Sequence, residues 1–452
     1  TATLSVNGKE VDLAGALLRE PRFDLVLDLD DPPWLPHETP PLGYYAPRGE
    51  PAALERAYRE LPELVGGFEK PKFFNYDPDI CAHGASGQQG CRRCIDACPT
   101  GAIASAGETV EVDPYLCQGA GSCAMACPSG AMTYAYPTVS DALATVRKAL
   151  RAYTDGGGET PRVAFYDAGG AERLAAVADR VPECVVAFEV EEIGAVGMDI
   201  WLAALAYGAR QVLLITHEDV PASVSRELDA QREHARAILA GLGYDGERVA
   251  RVAPEALAAE PPPSGAPPPP ATFAAFDEKR TTLRLAIDHL RAHAPAPRAT
   301  APLPEGAPYG EVLVDRDACT LCMACVSVCP VKALADGDER PQLLFVEENC
   351  VQCGLCQAAC PEDAVRLSPR MAYDRELASR MRVLNEEEPF NCVRCGKPFA
   401  TQSMMARMTE RLAGHWMFES EDAMRRLKMC QDCRVRDMYE HEGLIDVHGK
   451  PR

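Results

Sequence analysis

The sequence predicts a multidomain chain of mixed α/β and α+β class: two βαββαβ modules flank a small parallel α/β domain, and a helical tail follows. Three observations carry this. A tight cysteine run, C-x2-C-x2-C-x3-C-P, occurs twice in succession between residues 319 and 361, and a degenerate copy lies between 81 and 128. From 162 to 252, short apolar runs alternate with segments of helical period, the pattern of a parallel sheet covered on both faces. Beyond residue 371 stand two further C-x2-C pairs.

The doubled run is the most informative. Cys319, Cys322, Cys325 and Cys329-Pro330 are followed by Cys350, Cys353, Cys356 and Cys360-Pro361. Three thiolates at this spacing wrap one iron–sulfur cube, and the fourth, ahead of proline, reaches across to the other cube. The spacing therefore predicts one 4Fe-4S cluster on Cys319, Cys322, Cys325 and Cys360, and a second on Cys350, Cys353, Cys356 and Cys329. Disulfides are a poor reading of these eight residues, because four of them would have to pair within a few residues of one another. The run resembles that of bacterial two-cluster ferredoxins, which implies a ferredoxin-like module over residues 309–370 and a role in moving electrons.

Composition sets outer bounds. A length of 452 residues predicts about three domains. The formal net charge of −21 argues against a nucleic-acid partner, because phosphate contacts need a basic face. The 20 cysteines sit mostly in C-x2-C spacing, which reads as metal binding in a reducing compartment. No apolar run of about 18 residues is present, so no direct membrane span is expected. No basic and hydrophobic leader or twin-arginine signal opens the chain, and a cytoplasmic location is the expectation.

In chain order, residues 1–66 read as a β-rich, irregular region. Val6-Asn7-Gly8-Lys9 suggests a hairpin turn, 23–29 a strand, and the proline-rich stretch 31–47 an extended segment that covers a neighbour or meets a partner. Residues 67–138 form the first cysteine module. The α/β domain, 139–258, opens with a helix from 140 to about 153 carrying Leu143, Val146, Leu150 and Tyr153 at helical spacing. Strands follow at 162–166, 184–188, 211–215 and 248–252, with helices at 171–180, 197–207 and about 223–239. Residues 259–308 read as stiff proline-rich linkers around one helix bearing Leu283, Ile287 and Leu290. The second module spans 309–370, and 371–452 is expected to be a mostly helical tail.

The first module departs from the run twice. Cys91, Cys94 and Cys98-Pro99 keep its last three positions, and Gln88 stands at the first; Cys81 fills that position across a small, glycine-rich loop. Cys81, Cys91, Cys94 and Cys127 are thus expected to hold a 4Fe-4S cluster. In the second half, Cys117, Cys123 and Cys127-Pro128 flank Ala120 where a middle cysteine belongs. Cys98, Cys117 and Cys123 then supply three thiolates, which fit a 3Fe-4S cluster or an incompletely ligated 4Fe-4S cluster. His83, in the inserted loop, reads as a surface residue rather than a ligand. Residues 77–136 resemble seven-iron ferredoxins, which pair a three-iron with a four-iron cluster. All four half-modules share an ending after Cys-Pro: Thr100-Gly101-Ala102-Ile103, Ser129-Gly130-Ala131-Met132, Val331-Lys332-Ala333-Leu334 and Glu362-Asp363-Ala364-Val365. The small residue is expected to let the backbone turn close to the cluster, and the hydrophobe after it to keep water out.

In the tail, Cys392, Cys395, Cys430 and Cys433 form two C-x2-C pairs separated by 34 residues. Cys392-Val393-Arg394-Cys395-Gly396 looks like a zinc-ribbon or rubredoxin knuckle, and four thiolates suit structural Zn2+. A further iron–sulfur cluster ranks second. Cys184, the one cysteine left over, is expected to be an inert core residue.

The middle domain resembles the delta subunit of methyl-viologen-reducing hydrogenase. The resemblance lies in Glu191-Glu192-Ile193-Gly194, Tyr207-Gly208-Ala209, Val212-Leu213-Leu214-Ile215 and Gly241-Leu242-Gly243-Tyr244. It implies a 2Fe-2S cluster on cysteines after the third strand, where this chain has Thr216-His217-Glu218-Asp219. The domain is therefore expected to lack a cluster and to act in docking or spacing. Gly169-Gly170 reads as a turn pair, not a nucleotide loop.

Taken whole, the chain resembles multi-cluster iron–sulfur proteins associated with formate dehydrogenases and hydrogenases. The resemblance implies a non-catalytic electron-transfer subunit of an oxidoreductase complex that works with a redox protein partner. A catalytic subunit with an open-iron cluster beside Ala120 is the alternative, and a redox-sensing or assembly protein a third.

Overall fold

The structure, a computed structural model, describes all residues except 1, 2, 7, 8, 21, 22, 68, 339 and 442–452. At its centre lies a four-stranded, all-parallel sheet in the order Val185–Glu189, Arg162–Tyr166, Gln211–Ile215, Val249–Val252. The two inner strands read as continuous apolar runs because both faces are covered; every residue of Gln211–Ile215 is buried. Strand Val185–Glu189 is an edge and only half-buried, so Cys184, just ahead of it, is half-buried too and not the core residue expected. Helix Met198–Ala206 is buried on all sides, which matches its unbroken apolar sequence. It packs against helix Lys279–Ala292, whose Leu283, Ile287 and Leu290 face the core. Helix Val139–Asp155 buries Leu143, Val146 and Leu150, while Tyr153 stays half-buried.

Each cysteine module has the order βαββαβ. In the first, the outer strands Phe74–Tyr76 and Met132–Tyr134 pair antiparallel, and Ile103–Ala106 with Thr109–Val112 form a hairpin. Short helices Arg93–Asp96 and Ser122–Ala126 lie between them. The second repeats the plan, with Gly310–Val314 against Val365–Ala372 and Leu334–Asp336 against Gln342–Phe345. Its helices are Ala324–Ser327 and Leu355–Ala358. One apolar core runs from Met125 of the first module through the middle domain to Met371 and Tyr373. The Tyr373 hydroxyl donates to the Ile238 carbonyl at 2.6 Å.

Several expectations need correction. The strand placed at 23–29 shrinks to Val26–Leu27, paired with Tyr44–Tyr45, because the prolines that follow supply no amides for a longer ladder. The hairpin near the N-terminus forms from Thr3–Val6 and Lys9–Asp12, and its turn residues lie outside the described residues. The linkers are not free spacers. Thr300–Pro302 adds a strand to Val365–Ala372. The proline stretch is fastened by its carbonyls, which remain acceptors where amides are missing: Arg210 donates to Pro263, and Arg248 to Ser264 and Ala266. The tail is less helical than expected. Arg382–Glu386 joins the sheet of the second module beside Gln342–Phe345, anchored by Arg382 on the buried Glu347 at 2.6 Å. Pro389–Asn391 and Pro398–Thr401 form a hairpin ahead of helix Gln402–Leu412.

The proline-rich segment 31–47 covers a neighbour. The Thr39 amide donates to the Pro99 carbonyl at 3.1 Å, and the Glu38 carboxylate accepts from both the amide and the hydroxyl of Ser223 at 2.7 Å. It thereby spans the seam between the first module and the middle domain.

Candidate metal centres

None of the 20 cysteines is in a disulfide. Those of the modules stand in sets that cross between half-modules. Burial, and then Cys319, Cys322 and Cys360, push the Cys325 thiol up to about 12. Burial likewise raises Cys356, whose charged neighbours are Cys350, Cys353, Cys325 and Cys329. In the first module, burial and then Cys127, Cys91 and Cys81 drive Cys94 up to about 12. Cys123 is raised by burial and then by Cys98 and Cys117. In each case the Cys-Pro cysteine of one half stands among cysteines of the other. Such sets carry their thiolate charge only beside a compensating cation, which is what the irons of a cluster supply. Two pockets mark them, one lined by Cys319, Cys322, Cys325 and Cys360, the other by Cys98, Cys117 and Cys123.

The shared ending after Cys-Pro has one geometry. Its second residue is left-handed in all four copies: Gly101 at φ 62°, Gly130 at 81°, Lys332 at 52° and Asp363 at 50°. The turn therefore comes from this residue rather than from the alanine after it. The reversal aims amides at sulfur: Met132 N to Cys127 Sγ at 3.3 Å, Ala333 N to Cys329 Sγ at 3.2 Å, and Ala364 N to Cys360 Sγ at 3.4 Å. The alanines and the hydrophobes that follow are all buried, which shields the sulfurs from water.

In three of the four half-modules the middle position of the run also has a backbone signature. Leu321 and Met323 bracket Cys322 with φ of 53° and 61°, and Gln352 and Gly354 bracket Cys353 with 53° and 87°. Gly119 and Gly121 bracket Ala120 with 80° and 75°. The loop is thus the ligand loop without its sulfur. It is clamped as well. A Cβ on Gly119 would lie 2.7 Å from the Phe73 ring, and one on Gly121 would lie 2.5 Å from the Ala195 backbone. On the facing turn, a Cβ on Gly194 would collide with the Ala120 carbonyl oxygen, so this glycine is required by close packing.

Cys81 follows the short helical turn Pro78–Ile80 with φ −73° and ψ 129°. Cys350 follows Glu347–Asn349 with φ −67° and ψ 130°. The two residues therefore leave equivalent turns. The inserted loop folds as a small hairpin, Gly84–Ala85 against Gln88–Gln89. His83 is buried, not a surface residue; its ring bonds the Cys91 carbonyl at 2.8 Å and the Ser105 hydroxyl at 2.7 Å. Both nitrogens are engaged, so the ring braces the loop.

The tail cysteines differ in scale. The four sulfurs of Cys392, Cys395, Cys430 and Cys433 lie within 4.8 Å of one another, and Cys395 and Cys430 are 3.8 Å apart. Metal–sulfur bonds of about 2.3 Å in a tetrahedron give edges of about 3.8 Å. The site fits one tetrahedral ion and is too tight for the wider thiolate spread around a cube. Burial works against charge on Cys392, yet amides of Cys430, Cys395 and Arg394 prevail and hold its thiol at about 6. Gly396, at φ 74°, closes the knuckle with its amide on the Cys392 carbonyl at 2.8 Å.

After the third strand of the middle sheet, the His217 ring lies 2.9 Å from Asp167, with Gly169 packed against its edge. Gly169 is thus small for the sake of His217. Nearby Glu192 is pushed up to about 7 by burial, then by Asp167 and Glu191. The sequence hid this group, because its members come from three separate strand ends.

Residues 89–131 and 318–364 match the family profile of the 4Fe-4S dicluster domain. No curated protein matches the chain. The chain is thus an iron–sulfur protein with two ferredoxin-type dicluster domains. Among the described residues, no helix is long and apolar enough to cross a membrane.

Proposed function

We propose that this chain is an electron-transfer subunit that relays electrons between a formate dehydrogenase- or hydrogenase-like enzyme and another acceptor. The observation that carries the reading is the presence of two dicluster domains in one chain, with cysteines standing in crossed sets. Bound at such sets, iron–sulfur clusters take up and release one electron each with thiolate ligation unchanged. In this reading Cys319, Cys322, Cys325 and Cys360, then Cys350, Cys353, Cys356 and Cys329, then Cys81, Cys91, Cys94 and Cys127 hold 4Fe-4S clusters. Cys98, Cys117 and Cys123 hold a 3Fe-4S cluster, because the clamped loop at Ala120 brings no fourth donor. The amides on Cys127, Cys329 and Cys360, and the Gln352 side chain on Cys350 at 3.3 Å, stabilise thiolate charge. The tail site holds Zn2+ as a structural ion. The middle domain spaces and docks the modules, and a reducing cytoplasm suits cysteines that bind metal rather than pair as disulfides.

A second reading is an incompletely ligated 4Fe-4S cluster at Cys98, Cys117 and Cys123 that binds substrate; Ala120, which brings no donor to the fourth iron, favours it. Iron and acid-labile sulfide analysis of anaerobically purified protein, with EPR of oxidised and reduced samples, tests both. A three-iron signal in the oxidised sample, and oxidation of the reduced protein by a redox partner alone, supports the relay. Turnover of a small molecule by the isolated chain supports the second reading. Colourless protein free of sulfide defeats both.

A further inference from the structure

Two dicluster modules in one chain can form two separate pairs or a single series, and the seam between them decides. The strand Gln88–Gln89 of the first module lies against helix Leu355–Ala358 of the second. A Cβ on Gly90 would lie 2.6 Å from Leu355 Cγ, so the residue next to Cys91 touches the residue next to Cys356. A second contact comes from the helix Lys279–Ala292. The Arg280 guanidinium donates to the Pro128 carbonyl at 3.4 Å, beside Cys127, and to the Cys350 carbonyl at 3.1 Å and the Glu348 carbonyl at 2.6 Å. The same group stacks over the Tyr309 ring, 4.7 Å from its centre, which fixes the fork in place. Its neighbour Lys279 donates to the carbonyls of Ala124 and Met125 at 2.9 and 2.6 Å, so the helix start is tied to the first module at two points.

We infer that the set Cys81, Cys91, Cys94 and Cys127 and the set Cys350, Cys353, Cys356 and Cys329 face each other across this seam, that Arg280 is the positioning residue that holds them together, and that the four sets form one series. The inference rests on the electron-relay reading. Its ends are then Cys98, Cys117 and Cys123 on one side and Cys319, Cys322, Cys325 and Cys360 on the other. Within each module the two ligand-bearing helices pack together, Arg93–Asp96 on Ser122–Ala126 and Ala324–Ser327 on Leu355–Ala358, and this completes the series. The far end is open, because Cys322 is exposed.

The test uses the full chain, purified anaerobically and reduced with dithionite. Variants Arg280→Met, Arg280→Lys and Gly90→Val are compared with the parent for iron content, EPR power saturation and midpoint potentials. Magnetic coupling between two reduced sets falls steeply with their separation. Gly90→Val wedges the seam, and Arg280→Met cuts the tie while keeping the apolar stem. Both are expected to keep full iron content and to saturate at several-fold lower microwave power than the parent. Arg280→Met also removes a positive charge beside Cys350, so one midpoint potential moves to a more negative value, and Arg280→Lys restores it. Unchanged saturation and potentials in both variants at full iron content would overturn the series and leave the relay reading standing. A parent protein without iron and sulfide defeats the relay reading itself.

Discussion

The two dicluster modules share a backbone plan and differ in what fills it. In the second, cysteine occupies the bracketed loop position twice, at Cys322 and Cys353. In the first, the same left-handed bracket encloses Ala120, and the opposite half fills its first position from Cys81 across a hairpin. The difference teaches that the loop's course is set by local backbone conformation and packing, and that a sulfur atom can be absent from it without the loop being redrawn. Phe73 and the turn Ile193–Ala195 hold the first module's loop in place of a metal ligand.

Experiments on paired positions sharpen this comparison. The largest effect is expected from the double variant Cys325→Ala/Cys360→Ala, which leaves only two thiolates of a four-thiolate set; iron analysis should show a loss of about four irons per chain. Next come the reciprocal exchanges. Ala120→Cys should add about one iron and abolish the EPR signal of the oxidised protein, while Cys322→Ala should create a second such signal. An Ala120→Cys protein with the parent's iron and spectrum would show that the bracketed loops are not equivalent. Cys433→Ser should release the tail ion and destabilise the tail by roughly 3 kcal/mol or more, with cluster absorbance unchanged; metal analysis and thermal melts read the two effects separately.

A smaller effect separates the endings after Cys-Pro. Gly130→Ala forces a side chain into the left-handed region and toward the Lys279 Cβ at 3.1 Å; the cost should be about 1 kcal/mol. The corresponding Lys332→Gly relieves strain at φ 52° while loosening the unfolded chain, so its stability should change by less than about 0.5 kcal/mol. Chemical unfolding of both variants checks the pair. The smallest effect concerns pH. Glu192 has a folded value of about 7 against an ordinary 4.5, so the native state binds the extra proton and stability falls as pH rises through that window. Glu192→Gln should flatten that slope by roughly 1 kcal/mol, after allowance for its partial exposure, as measured by melts from pH 5 to 8.

Much of this was legible from residues alone, for physical reasons. Strands Arg162–Tyr166 and Gln211–Ile215 have the bounds their apolar runs predict, because a strand buried on both faces leaves an unbroken signal. Cysteine spacing is likewise a local signal. What escaped was non-local. Arg382–Glu386 alternates weakly and becomes a strand only because Gln342–Phe345 offers it a ladder. His83 looks like a loop residue until the hairpin folds over it. The left-handed bracket around Ala120 was half visible as Gly119 and Gly121, but Leu321, Met323 and Gln352 adopt the same conformation without glycine and gave no sign.

The two strands borrowed by the second module have a practical consequence. Arg382–Glu386 covers the edge of Gln342–Phe345, and Thr300–Pro302 pairs with Arg370, Met371 and Ala372, so a fragment excised at residues 309 and 370 would bare the first edge and sever the second ladder. Unsatisfied amides and carbonyls along such margins recruit further copies of themselves, so that fragment should clump. The shortest well-behaved piece begins ahead of Thr300 and continues past Glu386.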